Sequence, residues 1–367
     1  MARPFIAYVC ADYDRVCIPA SRAVESLESR GRCRMVVTSR DVARLAGVSQ
    51  PTVSRALRDD ARVSDATKLR VREAAQLLGY VPSEAGRALS SGRTRRIGLL
   101  LTDLDNQFYS HIIAPVHREL EARGYQLMLQ TESADNDTVV ERLVANGLDG
   151  VILATTTVDS VVPLRLQDRG LPFVYFNRTG AMVDADATVV DPVPGYLEAV
   201  GRAARLGHRR VAAVLGPSNT STAQSREAAL RDALHANGLA LSESDTRRVP
   251  YDTTEGEAAA AELLAADPRA TLMFCGNDVV AYGALNAAHR AGLRVPDDLS
   301  IIGFDDLPEA AWPLIDLATV GYDIAGMARA AAGLIVRRIE DPTAERESER
   351  FGSAFVPRRT LAAAPSL

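Results

Sequence analysis

The chain has 367 residues, 47% hydrophobic and 24% charged, which suits more than one globular domain, and no apolar run approaches the roughly twenty residues of a membrane helix. Four cysteines, with Cys10, Cys17 and Cys33 all near the start, suggest neither a disulfide framework nor a tetrahedral metal site. The net charge of −5 is unevenly spread: Val37 to Arg96 carries 12 Arg plus Lys against 6 Asp plus Glu, or +6, residues 1–36 add +2, and residues 97–367 hold −13. A small basic module on a larger acidic body is the pattern expected when one part meets phosphate and the other does not.

Residues 1–36 show no sustained periodicity, and Asp12 and Asp14 interrupt them before a signal-peptide core can form. Met35, followed by "VVTSRDVARLAG", looks like a natural start. The leader therefore reads as a disordered or appended arm, or as a misplaced start, and the expected location is the cytoplasm.

Residues 37–82 read as three helices. Thr38 with Asp41 makes a capping-box-like start, and Val42, Leu45 and Ala46 supply an apolar face. Gly47 can take the positive φ of a sharp turn, Ser49 is a good N-cap, and Pro51 falls in the first helical turn, where a missing N–H costs little. Val53 and Leu57 then face inward and leave Gln50, Thr52, Ser54 and Arg55 on the outer, leading surface. That is a helix-turn-helix: Gln and Arg suit base edges in the major groove, and hydroxyls with helix-end N–H groups suit phosphates. A third helix, capped by Ser64 and ended by Gly79, is expected to complete the core with Leu69, Leu77 and Leu78.

Residues 83–95 are small and basic and read as a linker. From residue 96 onward "RIGLLL", "YQLMLQ", "GVILAT", "RVAAVLG", "ATLMFCG" and "LSIIGF" alternate with helical patterns. This βαβ rhythm, restarting after Asp191, implies two wound α/β lobes whose ligand sits between them, beyond the carboxyl ends of the strands. His111, His117, His208, His235 and His289 are scattered without metal-ligand spacing, and no HExxH, Walker A or G-x-S-x-G pattern is present. No catalytic residue, metal or cofactor is expected.

With these motifs, the segment "VTSRDVARLAGVSQPTVSRALRDDARVSDATKLRVREAAQLLGYVPSEAGRALSSGRTRRIGLLL" resembles the lactose-repressor family of bacterial transcription regulators, and the resemblance covers nearly everything after Met35. It implies an all-α helix-turn-helix headpiece (37–82), a hinge helix and linker (83–95), and a two-lobed core (96–367) similar to periplasmic binding proteins, built on two doubly wound parallel sheets. Lobe 1 is expected at 96–190 and 319–341, lobe 2 at 191–318 and 342–364. The implied DNA contacts are Thr38, Ser49, Gln50, Pro51, Thr52, Ser54 and Arg55, with Arg87 and the wedge Leu89 in a hinge that folds on the operator.

The implied effector pocket takes Phe108, Tyr109, Asn177, Arg178, Thr220, Thr222, Arg226, Phe274, Asn277 and Asp305, with Trp312 weaker, Asp278 a helix cap and Asp306 behind the pocket. Such groups suit a polyhydroxylated sugar more than a purine. The expected protein is a homodimeric, effector-controlled repressor of a near-palindromic operator, with no membrane partner; a transport receptor is the rival of another class. The helix "DIAGMARAAAGLIVRRI" fits either a dimer interface or a lobe core.

Overall fold

The computed structural model describes residues 37–81, 92–102, 104–131, 137–266 and 269–365. The leader and the hinge residues Arg87 and Leu89 lie outside them. The chain divides into two units, 1–86 and 87–367.

Among the described residues the first unit has three helices: α1 (Ser39–Ala46), α2 (Gln50–Leu57) and α3 (Asp65–Leu77). The Thr38 N–H and Oγ1 both donate to Asp41 Oδ2, at 2.9 and 2.7 Å, which starts α1 and holds the Asp41 carboxyl below its ordinary range. Gly47, at φ 65°, ends α1 in the left-handed region, and Ser49 opens α2 with Pro51 in its first turn. The core is Val42, Ala43, Val53, Ala56, Val63, Val71, Ala74 and Ala75, with Leu57 and Leu78 packed at its edge. The expected core of large residues is corrected here: Leu45, Leu69 and Leu77 are 53%, 58% and 80% exposed. On α3 the inward stripe is Val71, Ala74, Ala75 and Leu78, at helical spacings of 3, 4 and 7. Leu69 and Leu77 fall off that stripe.

The second unit begins with lobe 1: β1 (Arg96–Leu101), α4 (Gln107–Ala122), β2 (Gln126–Thr131), α5 (Asp137–Ala145), β3 (Gly150–Leu153), α6 (Val162–Asp168), β4 (Phe173–Phe176) and β5 (Ala187–Asp191). Lobe 2 follows: α7 (Val193–Arg205), β6 (Val211–Leu215), α8 (Ser221–Ala236), β7 (Thr246–Arg248), α9 (Thr253–Leu264), β8 (Leu272–Cys275), α10 (Asp278–Arg290), β9 (Ser300–Asp305), a 3₁₀ turn (Pro308–Ala311) and β10 (Ala318–Gly321). The chain then returns through α11 (Ile324–Glu340), β11 (Ser348–Gly352) and β12 (Ala354–Val356). One sheet runs β11-β5-β4-β3-β1-β2 and is wholly parallel; the other runs β12-β10-β9-β8-β6-β7, with β12 alone antiparallel. Helices on both faces explain why the central strands are apolar throughout.

The lobe boundaries differ from expectation. β10 pairs with β9 and belongs to lobe 2, so the return to lobe 1 falls after Gly321 rather than at 319. Residues 348–352 pair with β5 and belong to lobe 1, not lobe 2. Exposed Ser348 and Glu349 gave no apolar signal for such an edge strand. Three crossings therefore join the lobes, between β5 and α7, β10 and α11, and β11 and β12. Ser353 Oγ binds two of them together by donating to Asp191 O at 2.7 Å and accepting from Gly195 N at 3.2 Å. A Cβ on Gly195 would lie 2.2 Å from Val320 Cγ1, so glycine at the start of α7 lets the helix pack this closely against β10.

α11 is lobe core: Met327, Ala328, Ala331, Ala332, Leu334 and Ile335 are buried with residues of α4 and the first sheet. No helix of the described residues is long and apolar enough to cross a membrane.

His208 follows α7 and is buried, with Nε2 3.0 Å from Ala362 O and Nδ1 3.0 Å from Thr271 Oγ1. A carbonyl can only accept, so the proton sits on Nε2 and Nδ1 accepts from the threonine. Burial lowers the His208 pKa from its ordinary 6.5, against the pull of the Ala362 carbonyl. The unfolded chain then binds this proton more readily, so the neutral histidine's contribution is complete above about pH 6.5 and is lost as pH falls through the lower folded value. Urea unfolding between pH 7.5 and 5.5 should show stability declining on acidification, and His208→Gln should flatten that decline. An unchanged slope in the variant would show that His208 is not the linked group.

Candidate functional site

The outer surface of the first unit is set by how its charges pair. Arg44 pairs with Asp41, Arg62 with Asp60, Arg72 with Asp59, and Arg58 reaches back to Ser54 O. Arg55, exposed on α2, has no ion pair or side-chain hydrogen bond, and neither has Arg40 on α1. Gln50 is exposed and donates to Ser39 Oγ at 2.9 Å, which ties the two helix starts together. Ser49 Oγ and Thr52 Oγ1 lie 2.8 Å apart on the same leading turn. A glutamine and two hydroxyls thus crowd the leading end of α2, where its positive dipole end also lies, and the Arg55 guanidinium extends from the last turn of the same helix.

In the second unit the strand ends converge between the lobes. Arg226, on α8 and 5% exposed, donates from Nη1 to Gly276 O and from Nη2 to Asp305 Oδ1, both at 2.7 Å. Its guanidinium lies 3.9 Å from the Phe304 ring centroid. Burial opposes the Arg226 charge, but the facing carboxylate outweighs it and the pKa is raised. Burial likewise pushes the Asp305 carboxyl up, against Arg226 and the Tyr322 hydroxyl that donates to it at 3.2 Å. Across from this pair, Phe108 and Tyr109 open α4 with ring centroids 5.7 Å apart. Asn177 follows β4 at φ 64°, a conformation asparagine tolerates, and its buried Oδ1 has no hydrogen-bond partner. Arg178 lies over the Tyr251 ring, 5.6 Å from its centroid.

Polar contacts fasten the lobes around this cleft. Asn106 Nδ2 donates to Tyr251 O at 2.9 Å, Thr179 N to Ser221 Oγ at 2.8 Å, and His111 Nε2 lies 3.0 Å from Glu309 Oε2. Such pairs can form or break as one body moves against the other.

Residues 38–83 match the description of bacterial regulatory proteins, lacI family, and residues 200–361 that of the periplasmic binding protein-like domain. The HTH-type transcriptional regulator CelR of Thermobifida fusca is 32% identical over 313 residues, 83% of this chain and 92% of that protein. The chain belongs to the LacI family. It is a LacI-type DNA-binding transcriptional regulator. The HTH-type transcriptional repressor PurR of Erwinia tasmaniensis is 30% identical over 337 residues, 90% of this chain and 98% of that one. Among solved structures, a transcriptional regulator CelR–cellobiose complex superposes with a TM-score of 0.68 at 30% identity, covering 89% of this chain and all of that one. These LacI-family relatives are regulators rather than enzymes.

Within this LacI-family core, Phe108, Tyr109, Asn177, Arg178, Thr222, Arg226, Asn277 and Asp305 line one cleft with Asn106, Ala154 and Tyr251. Two nominated residues do not. Phe274 is wholly buried in the lobe 2 core, its ring 6.2 Å from that of Tyr196. β8 is covered on both faces, so its sequence does not distinguish a pocket face from a core face. Thr220 caps α8, accepting from Ala223 N at 3.3 Å and donating to Pro217 O at 2.9 Å, so it shapes the loop without lining the cleft.

Asp278 is not a cap. Asn277 Oδ1 accepts from Val280 N at 2.9 Å and caps α10, while buried Asp278 accepts from Thr319 Oγ1 at 2.6 Å and Leu307 N at 2.8 Å. Burial raises the Asp278 pKa well above its ordinary value. Asp306 accepts from Arg358 Nη2 at 2.6 Å outside the cleft lining, and Trp312 is 56% exposed and elsewhere.

Asn106 and Tyr251 were missed. Each precedes or caps a helix that follows a strand end, Asn106 at α4 and Tyr251 immediately before Asp252, the cap of α9, and that position is the available signal. Tyr251 reaches the cleft only because residue 216 lacks a side chain: a Cβ on Gly216 would lie 2.2 Å from its ring.

Proposed function

We propose that this regulator is a homodimeric, cytoplasmic and nucleoid-associated repressor that grips near-palindromic operator DNA through the leading end of α2, under control of a sugar bound between the lobes. The observation that carries the sugar reading is the buried Arg226–Asp305 pair facing the unpartnered Asn177 carbonyl oxygen across aromatic walls. Fixed donors and acceptors of this kind suit vicinal hydroxyls, and ring faces suit the apolar faces of a pyranose. The cellobiose complex of a 30% identical regulator supports the same reading. A purine effector is the second reading, since the same arginine and aspartate can serve a nucleobase.

A ligand that touches both lobes favours one lobe arrangement, and the three crossings transmit any rotation to the rest of the lobe on either side. Operator affinity and sugar affinity are then linked reciprocally. Dimerisation follows from two half-sites that need two symmetric readers. The deciding experiment is a thermal-shift screen of the full chain with neutral and acidic sugars and with purines, followed by gel shifts on its own promoter region with and without the best ligand. Sugar should raise Tm and change operator affinity. A shift with purines alone overturns the sugar reading, and operator affinity indifferent to every stabilising ligand overturns the allosteric one.

A further inference from the structure

We infer that the effector is an acidic sugar, a uronate or a sugar phosphate, whose anionic group is held by Arg350 beside the interlobe pocket. This rests on the sugar reading above. Next to the cleft, and sharing Asn177, Thr222 and Arg226 with it, lies a cavity of about 180 Å³. A single water needs only about 10–15 Å³ of such space, so the cavity has room for a carboxylate or phosphoryl group. Its other polar linings are Thr179, Ser221, Ser225 and Arg350, and no carboxylate is among its lining residues.

Arg350, on β11, has no ion pair or side-chain hydrogen bond, and Arg178, on the cleft side, lies over the Tyr251 ring and acts on Asp305 only at a distance, through its charge. Asp191 lies between the lining residues Val190 and Pro192, but its carboxylate accepts from Val193 N at 3.1 Å and it does not line the cavity. Among the described residues, cleft and cavity together present Arg178, Arg226 and Arg350 against Asp305 alone, and Asp305 is already committed to Arg226 and Tyr322. This positive patch sits in a stretch, residues 97–367, whose net charge is −13.

A neutral hydroxyl accepts from such guanidinium groups too, but an anion is also drawn in by their charge and forms bonds roughly twice as strong. The hydroxyls agree in sense. Ser221 Oγ accepts from Thr179 N, which leaves its own proton to donate, and it opens the sixteen-residue helix α8, whose positive end adds to the field.

The test is isothermal titration of the full chain with glucuronate, galacturonate and glucose 6-phosphate against glucose and galactose. Acidic sugars should bind roughly tenfold or more tightly than their neutral parents, with an affinity that falls as salt rises. Arg350→Gln should remove roughly that tenfold gain, and Arg350→Lys should restore part of it. The preferred member of the acidic set identifies carboxylate or phosphoryl as the anion.

Neutral sugars binding as well as acidic ones would overturn the inference and leave the sugar reading intact. No binding by any acidic sugar, or an Arg350→Gln variant that binds the acidic sugar unchanged, would also overturn it. A response to purines in place of sugars would defeat both. Circular dichroism of the variants establishes that the exposed substitution leaves the fold in place.

Discussion

Asp305→Asn will destabilise the core by about 3–5 kcal/mol and abolish its thermal response to sugar, because it leaves the Arg226 guanidinium buried without its counter-charge. Arg226 is 5% exposed and its partner 2%, so water cannot replace the lost carboxylate. Asparagine is the informative replacement, since it preserves side-chain shape and, like aspartate, is among the non-glycine residues found at positive φ, where Asp305 sits at 113°. Arg226→Met should cost less than Asp305→Asn, because a lone buried acid can take up a proton, while a guanidinium cannot shed one at accessible pH. The paired variant Arg226→Met/Asp305→Asn should be more stable than Asp305→Asn alone, because no buried charge is left unpaired, yet still fail to bind sugar. Urea unfolding of the three variants separates the two effects. Losses below about 1 kcal/mol in both single variants would mean that the pair is effectively solvated, with no special place in the pocket.

On the DNA side, Arg55→Ala and Gln50→Ala should each weaken operator binding by about 1–3 kcal/mol per half-site and relax sequence preference at the base pair they read. In a dimer each substitution acts twice. Arg55 is the α2 cation free to reach out, since Arg58 is folded back onto Ser54, whereas Gln50 must exchange its bond to Ser39 for one to a base. Ser49→Ala and Thr52→Ala should weaken specific and random DNA alike, as phosphate contacts do. Gel shifts with operator, single-base variants and random duplex, each across a salt series, distinguish these outcomes. An Arg55→Ala protein that lost operator and random DNA equally would relocate Arg55 to the phosphate backbone. One that lost nothing would remove it from the interface.

Much of this was legible along the chain. The Thr38–Asp41 cap, the Gly47 turn and Pro51 specify the first two helices through contacts spanning only a few residues, and such contacts survive translation from pattern to structure, although the Ser49 hydroxyl at the N-cap bonds Thr52 Oγ1 instead of a backbone N–H. The βαβ alternation after residue 96 likewise needs only local apolar runs and periodicity. Seven of the eight nominated residues that line the cleft sit at strand ends or helix starts, where the wound sheet dictates that a pocket opens, and Arg226 sits in the second turn of α8.

What the sequence determined by itself is therefore local and topological: the caps, the order of elements, the charge segregation and the strand ends from which a pocket is built. Tertiary structure decided which faces point where and which charges meet. It placed Phe274 in the core and Tyr251 in the cleft, turned Leu69 and Leu77 outward, gave residues 348–352 to the first lobe, and joined Arg226 to an aspartate 79 positions away. A strand covered on both faces carries no sign of which side meets ligand, and a guanidinium finds its carboxylate through the packing of segments far apart in sequence.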